Sequence, residues 1–230
     1  MSSFFQVSMF FGAGVSLLAY EFGLILKRKF RLAILNPLLI AVICVIAVNA
    51  VLHVDYETYN EGGKYLSYLL TPATVCLAVP LYEQLNLLKQ NLKAVVCGIV
   101  SGVLASLVGV LICAKIFGLS HEQYVTLLPK SITTAIGMGV SEELGGIVTI
   151  TVAAIIITGI LGNVIADTVF KVFKIKEPVA RGLALGSSAH AIGTAKAMEM
   201  GPVEGAMSSL AIAVAGLLTV LGASIFAQIM

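Results

Sequence analysis

The chain alternates between long apolar runs that hold no charged residue and short stretches that carry charge. A helix needs about 20 largely apolar residues to span a bilayer. Five uncharged runs reach that length and predict spanning helices, at 1–20, 32–52, 94–114, 144–166 and 205–230. Two more segments are long enough but interrupted, 65–88 by Pro72 and Pro80, and 180–199 by glycines and hydroxyl-bearing residues. The pattern predicts an all-α polytopic membrane protein with about seven or eight transmembrane helices.

Composition indicates that the bilayer is the solvent for nearly the whole chain. Of the 230 residues, 59% are hydrophobic and 11% are charged, whereas about a quarter of a soluble domain is charged. The longest polar loop, 53–64, is short and acidic, so we expect one membrane domain over 1–230. The net charge of +2 accompanies no basic face, and nucleic acid is therefore excluded as an expected partner.

Motifs for catalysis are missing from the sequence. It contains no hydrolase elbow, zinc motif, phosphate-binding loop or dinucleotide fingerprint, and its three histidines are scattered. The four cysteines lie in apolar runs without the spacing of metal ligands. We therefore expect no catalytic residue, no metal, no cofactor and no enzymatic activity.

The distribution of lysine and arginine orients the predicted spans. The cluster from Lys27 to Arg31 follows the first run and is expected in the cytoplasm under the positive-inside rule. If 122–144 crosses completely, the basic loop around 171–181 falls outside, against that rule. If 122–144 is re-entrant or a short helix that returns to its own side, ten of the fourteen Lys and Arg residues become cytoplasmic. The second arrangement is favoured, and a full crossing stays open.

The order of the spans predicts an internal repeat. Residues 35–118 and 145–230 each run as span, interrupted span and span, at an offset of about 115 positions. Because three crossings is an odd number, the two units would be inverted relative to each other. Inverted repeats with interrupted helices are typical of secondary transporters, in which the interruptions meet near mid-membrane.

The interrupted segment 180–199 carries most of the predicted substrate-binding residues. They are Ser187, Ser188, His190, Gly193, Thr194 and Lys196. Ionisable groups inside a membrane usually face a cavity or a partner, and hydroxyls beside glycines that expose backbone N–H groups would suit a carboxylate. Three alternatives stay open: a neighbouring hydroxyl satisfies a neutral His190, Lys196 extends to the interface, and the hydroxyls bond within their own helix.

A second group of candidate binding residues lies in the stretch 128–139. Lys130, Ser131, Thr133 and Thr134 follow directly after Pro129. Pro129 suits the first turn of a short helix whose N-terminal amides are free. Free amides together with a lysine form an anion site, whereas a surface loop with an ordinary cap is the alternative.

Further candidates are two prolines and two acids. Pro72 and Pro80 each remove a helical hydrogen bond, so they are candidate helix breaks or simple kinks. Glu83 and Asp167 join His190 as candidates for ion coupling. The alternative for Glu83 is solvation at the cytoplasmic end of its helix. For Asp167, pairing with Lys171 at the interface is favoured.

Four motifs resemble the LrgB/CidB family of bacterial membrane proteins over essentially the whole chain. They are LNPLLIA (35–41), LTPATVCLAVPLYEQ (70–84), LPKSITTAIGM (128–138) and ARGLALGSSAHAIGTAKAMEMGPVEGAMSSLA (180–211). Lys130, Ser131, Thr133 and Thr134 match the family's Lys-Ser-(Val/Ile)-Thr-Thr run. His190, Gly193 and Thr194 match its Ser-His-Ala-(Leu/Ile)-Gly-Thr run, and Glu204 and Gly205 match its Glu-Gly-Ala pattern. Ala135 replaces a common proline, and Ser188-Ala189-His190 replaces the usual Ala-Ser-His order.

The resemblance implies two functions. LrgB-like proteins are described as antiholin-like, acting with a small LrgA/CidA-type membrane protein on murein hydrolase export and lysis. Related plastid proteins translocate glycolate and glycerate. The residues favour a transporter of small monocarboxylates in the bacterial cytoplasmic membrane, since an antiholin needs no intramembrane lysine or histidine. Proton coupling through His190, an LrgA/CidA-type partner and a homo-oligomer are further expectations.

Overall fold

The computed structural model describes residues 10–30, 35–76 and 78–230, and these fall into two compact units, Met1–Cys76 and Leu77–Met230. The described residues form helices, turns and loops, without a strand among them. The predicted span 1–20 therefore lies partly outside the described residues, as do Arg31 and the first residues of 32–52.

The N-terminal unit is built from helices that pack through small residues. Its helices are α1 (Phe11–Phe30), α2 (Pro37–Leu52), α3 (Tyr56–Ser67) and α4 (Leu70–Cys76). Helix α2 begins where Asn36 accepts hydrogen bonds from the amides of Leu38 and Leu39. Helix α1 packs on α2 and α3, and Gly12 lies so close to the backbone of Tyr59 that a Cβ atom there would clash.

The C-terminal unit contains the longest apolar helices. Its helices are α5 (Ala78–Glu83), α6 (Leu85–Gln90), α7 (Leu92–Phe117), α8 (His121–Leu127), α9 (Thr134–Glu143), α10 (Val148–Val172), α11 (Pro178–Met200) and α12 (Pro202–Ala227). Helices α7, α10 and α12 are long and apolar enough to cross a membrane, and only 22% to 33% of their most apolar windows is buried. They coincide with the predicted spans 94–114, 144–166 and 205–230, which confirms an all-α membrane protein. The total number of spans stays a prediction.

The first interrupted segment, 65–88, divides into short helices. Pro72 and Pro80 each lie in the first turn of a helix, α4 and α5 respectively, where a missing N–H costs little. Single non-helical residues, Gln84 and Asn91, separate α5, α6 and α7. The helix breaks at Gln84 and Asn91 thus lie several residues after the prolines and not at them.

Helices α8 and α9 form a helical hairpin, hereafter the first hairpin (121–143). Near its base, the Tyr124 hydroxyl donates to the carbonyl of Phe226 at the end of α12 (3.0 Å). The amide of Ile147, just before α10, donates to Thr126 Oγ1 (2.8 Å). The turn between the helices lies deeper, because Ser131 bonds Ser106, eleven residues or about 16 Å before the end of α7. Both ends of the hairpin therefore lie at the same end of the unit.

Helix α11 is also a hairpin, hereafter the second hairpin (178–200). Its backbone leaves helical geometry at Ala189 and at His190, which has φ 42° and ψ −135°. A Cβ atom on Gly193 would collide with the carbonyl of Leu185, although eight residues of straight helix would separate them by about 12 Å. The arms 178–188 and 191–200 therefore run back along each other. The predicted span 180–199 does contain a break, but at that break the chain reverses instead of continuing across.

Close contacts between glycines and neighbouring helices fix the direction of the second hairpin. Gly98 of α7 lies against Leu183, and Gly102, one turn later, lies against Ser187. Because both residue numbers increase together, α7 and the first arm run parallel. The hairpin therefore begins at the end of the unit where α7 starts and α10 finishes. We call this the basic end, because it carries Lys93, Lys171, Lys174, Lys176 and Arg181.

Opposite directions of the two hairpins produce a repeated pattern within 92–200. Helix α7 runs from the basic end and is followed by a hairpin that enters from the other end. Helix α10 runs towards the basic end and is followed by a hairpin that enters from there. The order of span and hairpin is thus repeated with inverted direction. The predicted repeat of 35–118 and 145–230 passes through both units of the chain and stays a prediction.

Candidate functional site

The tip of the first hairpin brings a lysine to two serines. Lys130 Nζ donates to Ser131 Oγ (3.0 Å), and Ser131 Oγ lies 3.0 Å from Ser106 Oγ on α7. Ser131 is buried and Lys130 is half-buried. A cation and two hydroxyls are thus collected well inside the unit.

Helix α9 adds free backbone donors to this tip. It begins at Thr134, after Thr133, whose side chain makes no capping hydrogen bond. The first amides of a helix have no partner within the helix and carry a partial positive charge. The expectation that Pro129 opens this helix was wrong. Pro129 lies in the preceding turn, where its carbonyl accepts from the amide of Ile132 (3.3 Å).

The tip of the second hairpin is centred on His190. Its Nε2 donates to the carbonyl of Ile155 on α10 (2.9 Å) and the residue is 4% exposed. Gly159 makes this approach possible, because a Cβ atom there would be 2.6 Å from Nε2. Thr194 Oγ1 donates to the His190 carbonyl (3.1 Å) and lies 2.7 Å from Ser208 Oγ on α12. The imidazole is therefore fixed against the middle of α10.

The two tips approach each other along α7. Ser187, just before the second tip, packs against Gly102, and Ser106, which binds the first tip, is one helical turn or about 6 Å further on. Both tips also meet α10 at Ile155, whose side chain packs against Gly137 of α9 and whose carbonyl binds His190. Polar groups from opposite ends of the unit thus converge near its middle.

A groove of about 560 Å³ follows α7 and the first arm of the second hairpin. Asn91 and Glu177 line it at the basic end, and Ser101, Ala105 and Ser187 line its deeper part. Small side chains keep the groove wide enough for small solutes. It leads from the basic end towards the depth at which the tips meet.

The remaining predicted residues of segment 180–199 have separate surroundings. Ser187 and Ser188 donate to the carbonyls of Leu183 and Ala184 within their own helix, as the alternative for these hydroxyls expected. Gly193 lies where the arms touch, so its role there is close packing. Lys196 is not at the tip.

Lys196 instead pairs with Asp167 nearer the basic end. Its Nζ lies 2.7 Å from Asp167 Oδ2, with 16% of the lysine side chain and 58% of the aspartate side chain exposed. The expected partner of Asp167 was Lys171, and this pairing was wrong because the second hairpin brings Lys196 back alongside α10. Glu83 is exposed on α5. Pro72 belongs to the N-terminal unit.

Sequence reasoning missed four contributors to the site. They are Ser106, Gly159, Ser208 and the backbone carbonyl of Ile155. Ser106 and Gly159 occur in ordinary apolar helices, where a serine or glycine gives no individual signal, and Ser208 lies within the motif 180–211 but was not singled out. No group of three or more His, Cys, Asp or Glu able to hold a metal occurs within the described ranges.

Comparison of the sequence with known proteins identifies a family of membrane proteins. The family model for LrgB-like proteins matches residues 16–229. The chain is 41% identical to the antiholin-like protein LrgB of Bacillus mycoides (strain KBAB4), and 40% identical to those of Bacillus cereus (strain B4264) and Bacillus anthracis (strain CDC 684 / NRRL 3495). Each alignment covers 92% of both chains. No solved structure matches the chain. This multi-pass membrane protein therefore belongs to the LrgB-like family.

Proposed function

We propose that the protein is a secondary transporter of small monocarboxylates, of the glycolate, lactate or pyruvate type, in the bacterial cytoplasmic membrane. One observation carries the proposal: two hairpins enter the C-terminal unit from opposite ends, and their polar tips come within about one helical turn of each other along α7. Non-helical backbone at membrane depth is tolerated where protein buries it or a watery cavity meets it. Two such tips provide a site that can be reached from either side.

The chemistry of the first tip suits a carboxylate. Lys130 supplies a positive charge, Ser131 and Thr134 supply hydroxyls, and the start of α9 supplies amides with partial positive charge. A carboxylate would replace the hydrogen bond from Lys130 to the neutral Ser131 hydroxyl with a stronger one in which both donor and acceptor are charged. The small residues of the groove favour a substrate of a few carbon atoms.

His190 supports a coupled proton. Because Nε2 donates to the Ile155 carbonyl, Nδ1 is the nitrogen that accepts a further proton. Histidine is the side chain most commonly used to take up and release a proton in proteins. Protonation would add positive charge near the carboxylate site and so couple the two ions.

A second candidate is an antiholin-like regulator of murein hydrolase activity and lysis that transports nothing itself. The names of the relatives favour it. If the protein is a regulator, it acts mainly through an LrgA/CidA-type membrane protein. If it is a transporter, that partner or a second copy of this chain assists transport. Flux by the purified protein separates the two functions.

The test is uptake of radiolabelled glycolate, lactate and pyruvate into proteoliposomes, with and without an LrgA-type protein. Replacing Lys130 by Gln should reduce uptake about tenfold or more, because a hydrogen bond to a charged group is worth about 1.5–3 kcal/mol. Lys115→Gln is the matched control, since it removes the same charge from an exposed position on α7. His190→Gln should abolish the response to a pH gradient while exchange at equal pH survives.

Three outcomes would contradict the proposal in different parts. Wild-type protein that moves none of the three acids, even with its partner, would favour the regulator. Equal uptake by the Lys130 and Lys115 variants would remove the carboxylate site from the first tip. Gradient-driven uptake by the His190 variant would exclude proton coupling at this residue and direct attention to Asp167 or Glu83.

A further inference from the structure

A second pocket lies at the basic end, between the end of α10 and the start of the second hairpin. Its volume is about 310 Å³, and Lys171, Lys174, Lys176 and Arg181 line it. Lys174 and Lys176 lie in the loop between the helices, and Arg181 lies in the first turn of α11. The pocket is separate from the groove along α7 and shares no residue with it.

Arg181 is held in a fixed orientation. Its Nε donates to the carbonyl of Ile175 (2.8 Å), and its guanidinium lies 5.6 Å from the centre of the Phe170 ring. One donor of the guanidinium is therefore occupied, and the two Nη groups carry the others in a planar fork. Such a fork matches two oxygens of one phosphate.

Lys174 occupies a position at which glycine is usual. The amide of Ile175 donates to the carbonyl of Phe170 (2.8 Å), which closes the end of α10, and Lys174 has φ 54°. This helix ending favours glycine because other residues are strained at positive φ. A lysine is nevertheless present, and its side chain lines the pocket. The strain is explained if the charge is needed there.

Among the described residues, none of the four cations in the pocket forms a salt bridge with an acidic side chain. Asp167 also lines the pocket but pairs with Lys196 (2.7 Å). Glu177 lines the groove along α7 instead. The pocket therefore retains an excess of positive charge.

We propose that this pocket binds a phosphate group and that the phosphate belongs to an anionic phospholipid. The lipid is favoured over free phosphate because Val172 and Phe173, at the end of the apolar helix α10, are 66% and 72% exposed beside the cations. They provide a surface for acyl chains while the headgroup meets the lysines. Basic pockets on the cytoplasmic side of membrane helices commonly bind anionic headgroups. The inference is independent of the transported substrate.

The helix dipole and the positive-inside rule each account for only part of the basic cluster. Cations at the end of α10 interact favourably with its dipole, but this applies to Lys171 and Lys174 and not to Lys176 or Arg181. The positive-inside rule accounts for the net charge of the loop. It does not account for a fixed guanidinium or a strained lysine, whereas a bound phosphate accounts for both.

The test compares ligands and variants in detergent micelles. Binding of short-chain phosphatidylglycerol is measured by native mass spectrometry, against short-chain phosphatidylcholine and with inorganic phosphate as a competitor. The double variant Lys174→Gln/Lys176→Gln should bind phosphatidylglycerol about 25-fold more weakly, since each cation near the surface contributes about fivefold. The control Lys89→Gln/Lys93→Gln removes two exposed charges, one on α6 and one in the first turn of α7, that do not line the pocket, and it should change binding less than twofold.

Lys174→Gly separates a binding role from a role in the fold. It relieves the positive φ, so thermal stability should rise while phosphatidylglycerol binding falls about fivefold. Equal binding of phosphatidylcholine, or equal weakening by the control pair, would overturn the phosphate site. Competition by inorganic phosphate at concentrations similar to the lipid would overturn the assignment to a lipid. Unchanged binding by Lys174→Gly would remove Lys174 from the site.

Discussion

The two hairpins of the C-terminal unit reach similar depths by different means. The first hairpin has a tip of several non-helical residues that carries Lys130, and hydroxyl groups hold its base. Thr151 Oγ1 donates to the carbonyl of Thr126 (2.8 Å) and lies 2.6 Å from Ser141 Oγ. The second hairpin reverses within two residues, and glycines against neighbouring backbone hold its arms.

The difference indicates a division of tasks between the hairpins. The longer tip carries a lysine, hydroxyls and helix amides, so under the proposed function the binding chemistry would lie on the first hairpin. A compact tip leaves little free backbone, so the second hairpin presents mainly His190 and fixes it against Ile155. The second hairpin also carries the basic pocket at its base. Substrate recognition and proton coupling would thus lie on different elements that meet at α7 and α10.

The largest expected effect concerns the side on which the second hairpin ends. In a variant without the four native cysteines, we introduce Glu199→Cys or Gln228→Cys. Because the hairpin returns to the basic end, position 199 should be protected from an impermeant maleimide in intact cells and labelled after permeabilisation. Position 228, beyond a full crossing by α12, should be labelled in intact cells. Labelling at 199 with protection at 228 would mean that 178–200 crosses completely.

The sequence predicted the first hairpin as a re-entrant segment and the second as an interrupted span that crosses, and the reason for the difference is local. The first hairpin was predicted because Pro129, Lys130 and Ser131 interrupt an apolar pattern, and because the positive-inside rule favours a return to the same side. The second reverses at Ala189 and His190, neither of which is a turn residue by type. Its reversal is accompanied by close backbone contacts that residue types alone do not predict, such as Gly193 with Leu185 and Gly182 with Glu204. The candidate residues Lys130 and His190 were therefore predictable, while their partners Ser106 and Gly159 on other helices were not.

A smaller effect is expected from filling one glycine of the second hairpin. A Cβ atom at Gly186 would collide with the Ser208 carbonyl and lie 2.7 Å from Ala211 Cβ. Gly186→Ala should therefore destabilise the protein by about 1–3 kcal/mol. The control is Gly109→Ala on α7, where a Cβ atom meets no atom within 4 Å and alanine should be neutral or stabilising by up to about 1 kcal/mol. The midpoints of thermal unfolding of the two variants are measured in detergent by circular dichroism. Equal midpoints would show that the first arm is not closely packed against α12.

The smallest expected effect compares the single side-chain hydrogen bonds near the two tips. Thr194 and Ser208 are 1% and 0% exposed, whereas Ser106 is half-buried and its partner Ser131 also accepts from Lys130. A double-mutant cycle of Thr194→Val and Ser208→Ala should give a coupling of about 0.6 kcal/mol, the average between membrane helices. A cycle of Ser106→Ala and Ser131→Ala should give less, because Lys130 remains able to satisfy Ser131 when Ser106 is removed, and water reaches a half-buried pair. Unfolding in a denaturing detergent provides both coupling energies.

A larger coupling at Ser106 and Ser131 would show that the first tip is the drier and more rigid one. It would reverse the assignment of binding to the first hairpin and positioning to the second.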